Sequence, residues 1–126
     1  MRLLLDTHIC IWLFRNDVEL SEEARKLFND DNEIYYSVLS VWEIAIKENK
    51  AGKLNMSARQ FTEAAKKAGL KCLPLTEKQI SSMVYFKNNK DPFDNMLFTQ
   101  ATAENMQFVT HDKNIISEAG KQAIAV

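Results

Sequence analysis

Short apolar runs alternate with amphipathic helical segments along the whole sequence. Runs rich in β-branched and aromatic residues favour strands. Short apolar runs lie at positions 2–6, 33–38, 72–75, 107–110 and 123–126, and the run at 33–38 is rich in such residues. Helical patterns fill the intervals, at 8–14, from Ser21 onward, and at 40–50, 57–68, 76–87, 91–104 and 114–119. Because parallel strands need a crossover helix between them, this order predicts an α/β fold. We expect three layers, α/β/α, in which helices cover both faces of a mostly parallel central sheet of four or five strands.

The length and composition predict a single domain over residues 1–126. With 46% hydrophobic residues the chain can bury one core, but it is too short for two. Cys10 and Cys72 sit among apolar neighbours, which predicts buried thiols in a reducing compartment. The apolar start ends at Asp6, too early for a secretory signal, and no run reaches transmembrane length. We therefore expect a cytoplasmic protein that has no membrane contact.

The charges of the chain nearly balance. Lys and Arg total 16 against 17 Asp and Glu, which gives a net charge of -1. A protein that binds nucleic acid mainly by neutralising phosphates usually has a basic surface. The balance therefore argues against such a protein, unless a cation bound at the site supplies the positive charge.

Acidic residues follow several predicted strands at or just beyond their carboxyl ends. Asp6 closes the first strand, Glu43 lies about one helical turn after the second, and Asp112 follows the fourth. Asp94, with Asp91 beside it, lies at the start of a predicted helix. Because the carboxyl ends of parallel strands meet at one edge of a sheet, where ligands bind, these acids can face one cleft.

Each of these acids also has a purely structural explanation as a helix cap. Asp6 and Asp112 can be N-caps, and Asp91 precedes a proline at a first helical position. Ser40 and Glu43 have the spacing of a capping box. Caps are often Ser, Thr or Asn, so carboxylates at every edge position favour a shared site, while capping stays open as the alternative.

Electrostatics indicates what such a cleft would bind. Two carboxylates about 5 Å apart repel by roughly 3 kcal/mol at an effective dielectric of about 20, and several in one cleft repel more. Oxygen ligands select hard cations, and Mg²⁺ or Mn²⁺ held by carboxylates and water suits phosphate chemistry. Such ions reverse the local charge and activate a water for attack on phosphorus, which would reconcile an acidic cleft with a nucleic-acid substrate.

Four motifs occur in order over nearly the entire chain. They are Leu-Leu-Leu-Asp6-Thr7-His8, the stretch from Ser40 to Lys47 followed by Gly52-Lys53-Leu54, Asp91-Pro92-Phe93-Asp94 with Gln100-Ala101 after it, and Val109-Thr110-His111-Asp112. In these motifs the sequence resembles the PIN-domain ribonucleases, and among them the VapC-type toxins of bacterial toxin-antitoxin pairs.

The resemblance implies a PIN-like fold and a divalent-metal-dependent endoribonuclease that hydrolyses RNA phosphodiester bonds by metal-activated water. It implies that the Mg²⁺ or Mn²⁺ ligands are Asp6, Glu43, Asp94 and Asp112, with Asp91 as a further candidate. It also implies a cognate antitoxin that blocks the cleft, and a homodimer. Trp12 and Phe14 are candidates for such protein contacts, although packing in the core is the commoner role of aromatic residues in an amphipathic helix.

Neighbours of these acids are candidates for supporting or substrate-binding roles. Thr110 can hydrogen-bond a ligand carboxylate, Lys47 can meet an RNA phosphate, and His8 can contact substrate. The alternative for Lys47 is a solvated helix face. Two histidines, His8 and His111, without cysteine partners make a poor zinc site. Asn95 stands where members of the family commonly carry a basic residue, so no phosphate contact is expected from that position.

Two other functions were weighed against a ribonuclease. A PIN-like module that binds RNA or protein without cutting would be expected to lack a ligand acid, and here all four positions are filled. A phosphoacceptor receiver domain would need adjacent acids after the first strand and a lysine after the last. The first strand here offers Asp6 alone before Thr7 and His8, which disfavours a receiver domain.

Overall fold

The computed structural model describes residues 1–48, 50 and 55–126, so the Gly52-Lys53-Leu54 motif lies outside the described residues. The strands are β1 Arg2–Leu5, β2 Glu33–Ser37, β3 Lys71–Leu73, β4 Gln107–Thr110 and β5 Ala123–Ala125. The helices are α1 Thr7–Arg15, α2 Glu22–Asn29, α3 Val38–Lys47, α4 Ala58–Lys67, α5 Glu77–Ser81, α6 Pro92–Ala103 and α7 Lys113–Ala119, followed by a 3-10 turn, Gly120–Gln122. Within the described ranges the strands form one five-stranded sheet of order β3-β2-β1-β4-β5, and every neighbouring pair is parallel. The predicted α/β fold is confirmed.

The sheet carries a separate hydrophobic core on each face. Leu3 and Leu5 of β1 point into one core, which α1, α2 and α4 cover and which contains Phe61. Leu4 points into the other, which α6 and α7 cover and which contains Leu97. All three leucines are fully buried. A strand buried on both faces is a continuous apolar run in the sequence, which is why the sequence of this segment predicted a strand.

The strand order reverses beside β1. Strand β1 pairs with β2 on one side and with β4 on the other. The connection that follows β1 and the connection that follows β4 therefore lie on opposite sides of a crevice. In open parallel sheets, ligands bind outside the carboxyl ends of the strands at such a point. Asp6 directly follows β1 and Asp112 lies two residues beyond β4, so the topology places both acids at this crevice.

Helix α3 begins earlier than predicted and has a different cap. It starts at Val38, directly after β2, and Ser37 Oγ accepts a hydrogen bond from the amide of Leu39 at 3.0 Å. The predicted capping box of Ser40 and Glu43 is therefore wrong, because both residues lie inside the helix. The β-forming residues of this segment concealed the boundary, since they suit the strand as well as the first helical turn.

Helix α5 begins with a capping box of Thr76 and Gln79 but ends at Ser81 instead of near residue 87. Beyond Met83 the loop bonds to α6, since the amides of Val84 and Phe86 donate to Thr99 Oγ1 and Asn95 Oδ1, both at 2.7 Å. Asn95 Nδ2 donates to the carbonyls of Asn89 and Asp91 at 3.0 and 2.9 Å. Asn95 is 3% exposed, so it holds this loop to the helix at the position where a basic residue was expected.

The structure also tests expectations about exposure and membranes. Cys10 is buried as predicted, but Cys72 is exposed, because the first two residues of the edge strand β3 face solvent. Phe14 packs on Phe61 with ring centroids 5.1 Å apart, in agreement with a packing role. Among the helices of the described ranges, none has the length and apolar character needed to cross a membrane.

Candidate active site

A cavity of about 250 Å³ opens at the crevice between β1 and β4. Among the described residues, the five acids predicted from the sequence and one lysine line it, namely Asp6, Glu43, Asp91, Asp94, Asp112 and Lys47. These side chains come from the ends of two strands and from α3 and α6, which are far apart in the sequence. The fold therefore brings the predicted site residues together in one place.

Asp6 is buried at the bottom of this site and has partners for both carboxyl oxygens. Oδ1 accepts the amide of Thr7 at 2.8 Å, which caps α1, and Oδ2 accepts the hydroxyl of Thr110 at 2.7 Å. Burial raises the pKa of Asp6 to about 6, the bonds from Thr110 and Thr7 oppose that rise, and the charges of Glu43 and Asp112 add to it. The hydrogen bond predicted for Thr110 is present, and it is made to Asp6.

Glu43 is 4% exposed and is held by a threonine and a lysine. Its Oε1 accepts the hydroxyl of Thr7 at 2.8 Å, and the same hydroxyl lies 2.8 Å from Ser40 Oγ. Its Oε2 pairs with Lys47 Nζ at 2.6 Å. Burial acts to lower the pKa of Lys47, but the hydrogen bond and charge of Glu43, with the charges of two aspartates, raise it overall. Lys47 is therefore a cation that faces the cavity, and it does not belong to a fully solvated face of the helix.

Capping, the structural alternative for the acids, is also observed. Asp91 caps α6 and Asp112 caps α7, each by accepting backbone amides through Oδ1. These contacts use one oxygen of each carboxylate, and both residues line the cavity as well. The two interpretations are compatible, because a cap at a helix that starts beside the crevice also places its second oxygen near that crevice.

The pKa of Asp94 is raised further than that of Asp6. Burial raises its pKa to about 7, and the charge of Asp6 is the next contribution in size. Its Oδ2 accepts Asn89 Nδ2 at 2.9 Å, and the same amide lies 3.5 Å from Asp112 Oδ2. Asn89 was missed in the sequence, since nothing local distinguishes it from its loop neighbours. It links two acids that come from different helices.

The donors of this cavity suit a hard cation by their chemistry, because carboxylate oxygens dominate it. Within the described part of the chain, however, no group of three or more His, Cys, Asp or Glu side chains is gathered closely enough to hold an ion as it stands. The oxygens are turned to protein partners, Glu43 to Lys47 and Asp6 to Thr110. Binding an ion would therefore require these side chains to turn away from their protein partners, and its charge would offset the burial and the repulsion that raise the pKa values of Asp6 and Asp94.

Aromatic and imidazole rings complete the lining. Trp12, for which core packing was the favoured prediction, packs on the core and also lines the cavity, together with His8 and His111. Its indole contacts both imidazoles edge-on, with ring centroids 6.5 Å from His8 and 5.4 Å from His111. The four-residue spacing of His8 and Trp12 in a helix is the sequence signal that could have placed them on one face.

The chain was compared with known families and structures. The PIN domain family model matches residues 3–121. In fold the chain is similar to VapBC-1 from nontypeable Haemophilus influenzae, with 17% identity, a TM-score of 0.70, and coverage of 99% of this chain and 98% of that one. It is also similar to VapBC2 from Rickettsia felis bound to a promoter DNA fragment, at 17% identity, TM-score 0.65 and coverage of 100% and 98%. A toxin-antitoxin complex from Klebsiella pneumoniae matches at 15% identity, TM-score 0.63 and coverage of 98% and 96%. No curated protein matches the chain.

Proposed function

The chain belongs to the PIN-domain family, and from that premise we propose that residues 1–126 form a single nuclease domain that hydrolyses RNA phosphodiester bonds with Mg²⁺ or Mn²⁺. One observation carries the proposal: acids from separate strands and helices line a single cavity at the point where the strand order reverses. Structural capping alone does not require those caps to share a cavity.

The ion would be held by Asp6, Glu43, Asp94 and Asp112, with Asp91 as a further candidate. When bound, it would supply the positive charge that the substrate phosphate needs and an activated water. The protein's part is to orient the ligands. Thr7 does this for two of them at once, since its amide donates to Asp6 and its hydroxyl to Glu43. Lys47 is the cation on the cavity wall that a phosphate can reach by displacing Glu43.

We place this nuclease in the cytoplasm as the toxin of a toxin-antitoxin pair, with a cognate antitoxin as its inhibitor. The fold similarity to VapBC complexes supports this assignment.

The alternative is a PIN-like module that binds RNA or protein without cutting. The observation in its favour is that the described side chains include no preformed cluster of metal ligands. Cleavage of RNA distinguishes the two.

Purified protein is expected to cleave single-stranded RNA with Mg²⁺ or Mn²⁺, to stop in EDTA, and to recover when the ion is restored. Asp6→Asn should lower the cleavage rate by roughly 100-fold or more, about 2.7 kcal/mol in the barrier, because the buried carboxylate lies centrally among the acids. Asp31→Asn is the matched control, since Asp31 is an exposed acid that is outside this cavity. Equal cleavage by Asp6→Asn and the wild type would mean a contaminating nuclease or a different site.

We also assign the expected homodimer to an apolar face beside the active site. Trp42 and Ile46 of α3 and Ile80 of α5 are 58, 40 and 51% exposed. With Phe93 they line an apolar groove of about 420 Å³. Exposed apolar surface of this kind marks interfaces, and a second copy related by a two-fold axis would cover both grooves with the same residues.

Ile46→Glu is therefore expected to convert a dimer to a monomer, because a charge in the middle of an apolar interface leaves the carboxylate desolvated and unpaired. Light scattering after size-exclusion chromatography measures the mass. Val18→Glu is the control, since Val18 is 93% exposed and lies outside the groove. A dimer that persists in Ile46→Glu would place the interface elsewhere.

A further inference from the structure

The candidate active site has an aromatic wall that phosphate chemistry does not explain. Trp12 of α1 lines the cavity between His8 and His111. The planes of the two imidazoles are inclined to the indole by 62° and 71°. Neither imidazole is therefore stacked in parallel on the tryptophan.

The charges of the cavity leave little attraction for the backbone of a nucleic acid. Among the described residues, its lining has five acids and one lysine. That lysine, Lys47, is already bonded to Glu43 at 2.6 Å. Phosphate contacts normally supply most of the affinity for nucleic acid. A bound cation would offset part of this negative charge, and stacking of a base on an aromatic ring would add affinity that does not depend on charge, because every base has a π face.

The aromatic wall is held in place by the fold. Trp12 is half-buried and packs on the core beneath α1. His111 Nδ1 contacts the carbonyl oxygen of Val126, whose amide donates to the carbonyl of Thr110 at 3.1 Å. Rings anchored in this way lose little freedom when a flat ligand docks on them.

We propose that Trp12, flanked by His8 and His111, is a stacking platform for an unpaired base of the RNA strand whose backbone lies against the acids. The inference rests on the proposed nuclease function and names the side chain that would hold a base of its single-stranded substrate. Bases inside a duplex are stacked on one another and cannot reach such a ring, whereas bases of loops and single strands can.

Binding can be read from Trp12 itself. The sequence holds two tryptophans, so Trp42→Phe leaves Trp12 as the reporter. On rapid mixing with Mg²⁺ and a single-stranded RNA oligomer, the fluorescence of Trp12 is expected to be quenched. An abasic sugar-phosphate oligomer of the same length, and a duplex of the same sequence, should quench it little. Equal quenching by the abasic oligomer would overturn the platform.

Kinetics gives a second test, with an RNA series in which one base at a time is removed. Trp12→Ala is expected to raise KM for intact RNA by about 10-fold or more, while Trp12→Phe keeps most of the affinity. Removing the base that stacks should raise KM in the wild type but have no further effect in Trp12→Ala. Tyr85→Ala is the control, because Tyr85 is 76% exposed and lies outside the cavity.

The outcomes separate this inference from the nuclease proposal. Metal-dependent cleavage with an unchanged KM in Trp12→Ala and no base-dependent quenching would sink the platform and keep the nuclease. Base-dependent quenching without any cleavage would keep the platform on a protein that binds RNA without cutting it. A loss of cleavage in Trp12→Ala that is the same for intact RNA and for every abasic position would show a structural role only.

Discussion

Asp94→Asn is expected to lower the rate of RNA cleavage by roughly 1000-fold, about 4 kcal/mol in the barrier, while melting at a higher temperature than the wild type in EDTA. Burial, followed by the charge of Asp6, raises the pKa of Asp94 to about 7. Above that pH the wild type must hold a disfavoured negative charge in the cavity. Asparagine removes the charge, keeps the shape, and can still accept the hydrogen bond of Asn89 through its amide oxygen.

The pH dependence of this stability difference has a definite sign. The pKa of Asp94 is about 7 in the folded chain against an ordinary value of 3.8, so between those pH values the folded state holds a proton that the unfolded state has released. Binding of this proton contributes to the free energy of unfolding of the wild type. The contribution is fully present below the pKa of Asp94 in the unfolded chain and is lost as the pH rises through its pKa in the folded chain. The advantage of Asp94→Asn should therefore grow from about pH 4 and level off above about pH 7.

Thermal melting in EDTA across this pH range, with Asp31→Asn as the control, measures the effect. A lower melting temperature for Asp94→Asn would show that the carboxylate acts mainly in the structure of α6. Unchanged cleavage would show that Asp94 lies outside the catalytic set. The opposite directions of the two expected effects distinguish a functional carboxylate from a structural one, since the loss of a structural residue would lower both stability and activity.

The affinity for Mg²⁺ is expected to rise by roughly 100- to 1000-fold between about pH 5 and about pH 7.5 and then to level off. Burial raises the pKa of Asp6 to about 6 and that of Asp94 to about 7. Both protons must leave before these carboxylates can bind a cation. At the low end of this range both acids are mostly protonated, and at the high end both are mostly ionised, so proton competition accounts for the rise.

Calorimetric titration with Mg²⁺ in buffers of different ionisation enthalpy measures both the affinity and the protons released. About two protons should leave per ion near pH 5, and well under one near pH 7.5. Asp94→Asn should bind the ion more weakly and lose the upper part of the pH dependence. An affinity that does not change over this range would mean that Asp6 and Asp94 are not ligands.

The sequence was informative wherever the signal was local. The five strands were located within a residue or two, because a buried parallel strand is a short apolar run that needs no distant information. The caps at Asp91 and Asp112 were likewise visible, since a cap acts on amides two or three residues away. The errors fell on α3 and α5, whose boundaries depend on a strand-to-helix junction at Ser37 and on amides that bond to α6.

By itself the sequence determined the α/β fold and which acids to suspect, through periodicity, capping chemistry and the order of four motifs. Only the tertiary structure decided how those acids behave. Thr7 reaches Glu43, Thr110 reaches Asp6, and Trp12 reaches His111 across long separations in the chain. The raised pKa values of Asp6 and Asp94 likewise come from burial and from the charges of neighbouring acids. Desolvation and Coulomb interactions depend on distances in space and on the surrounding dielectric, and both exist only once distant segments have packed together.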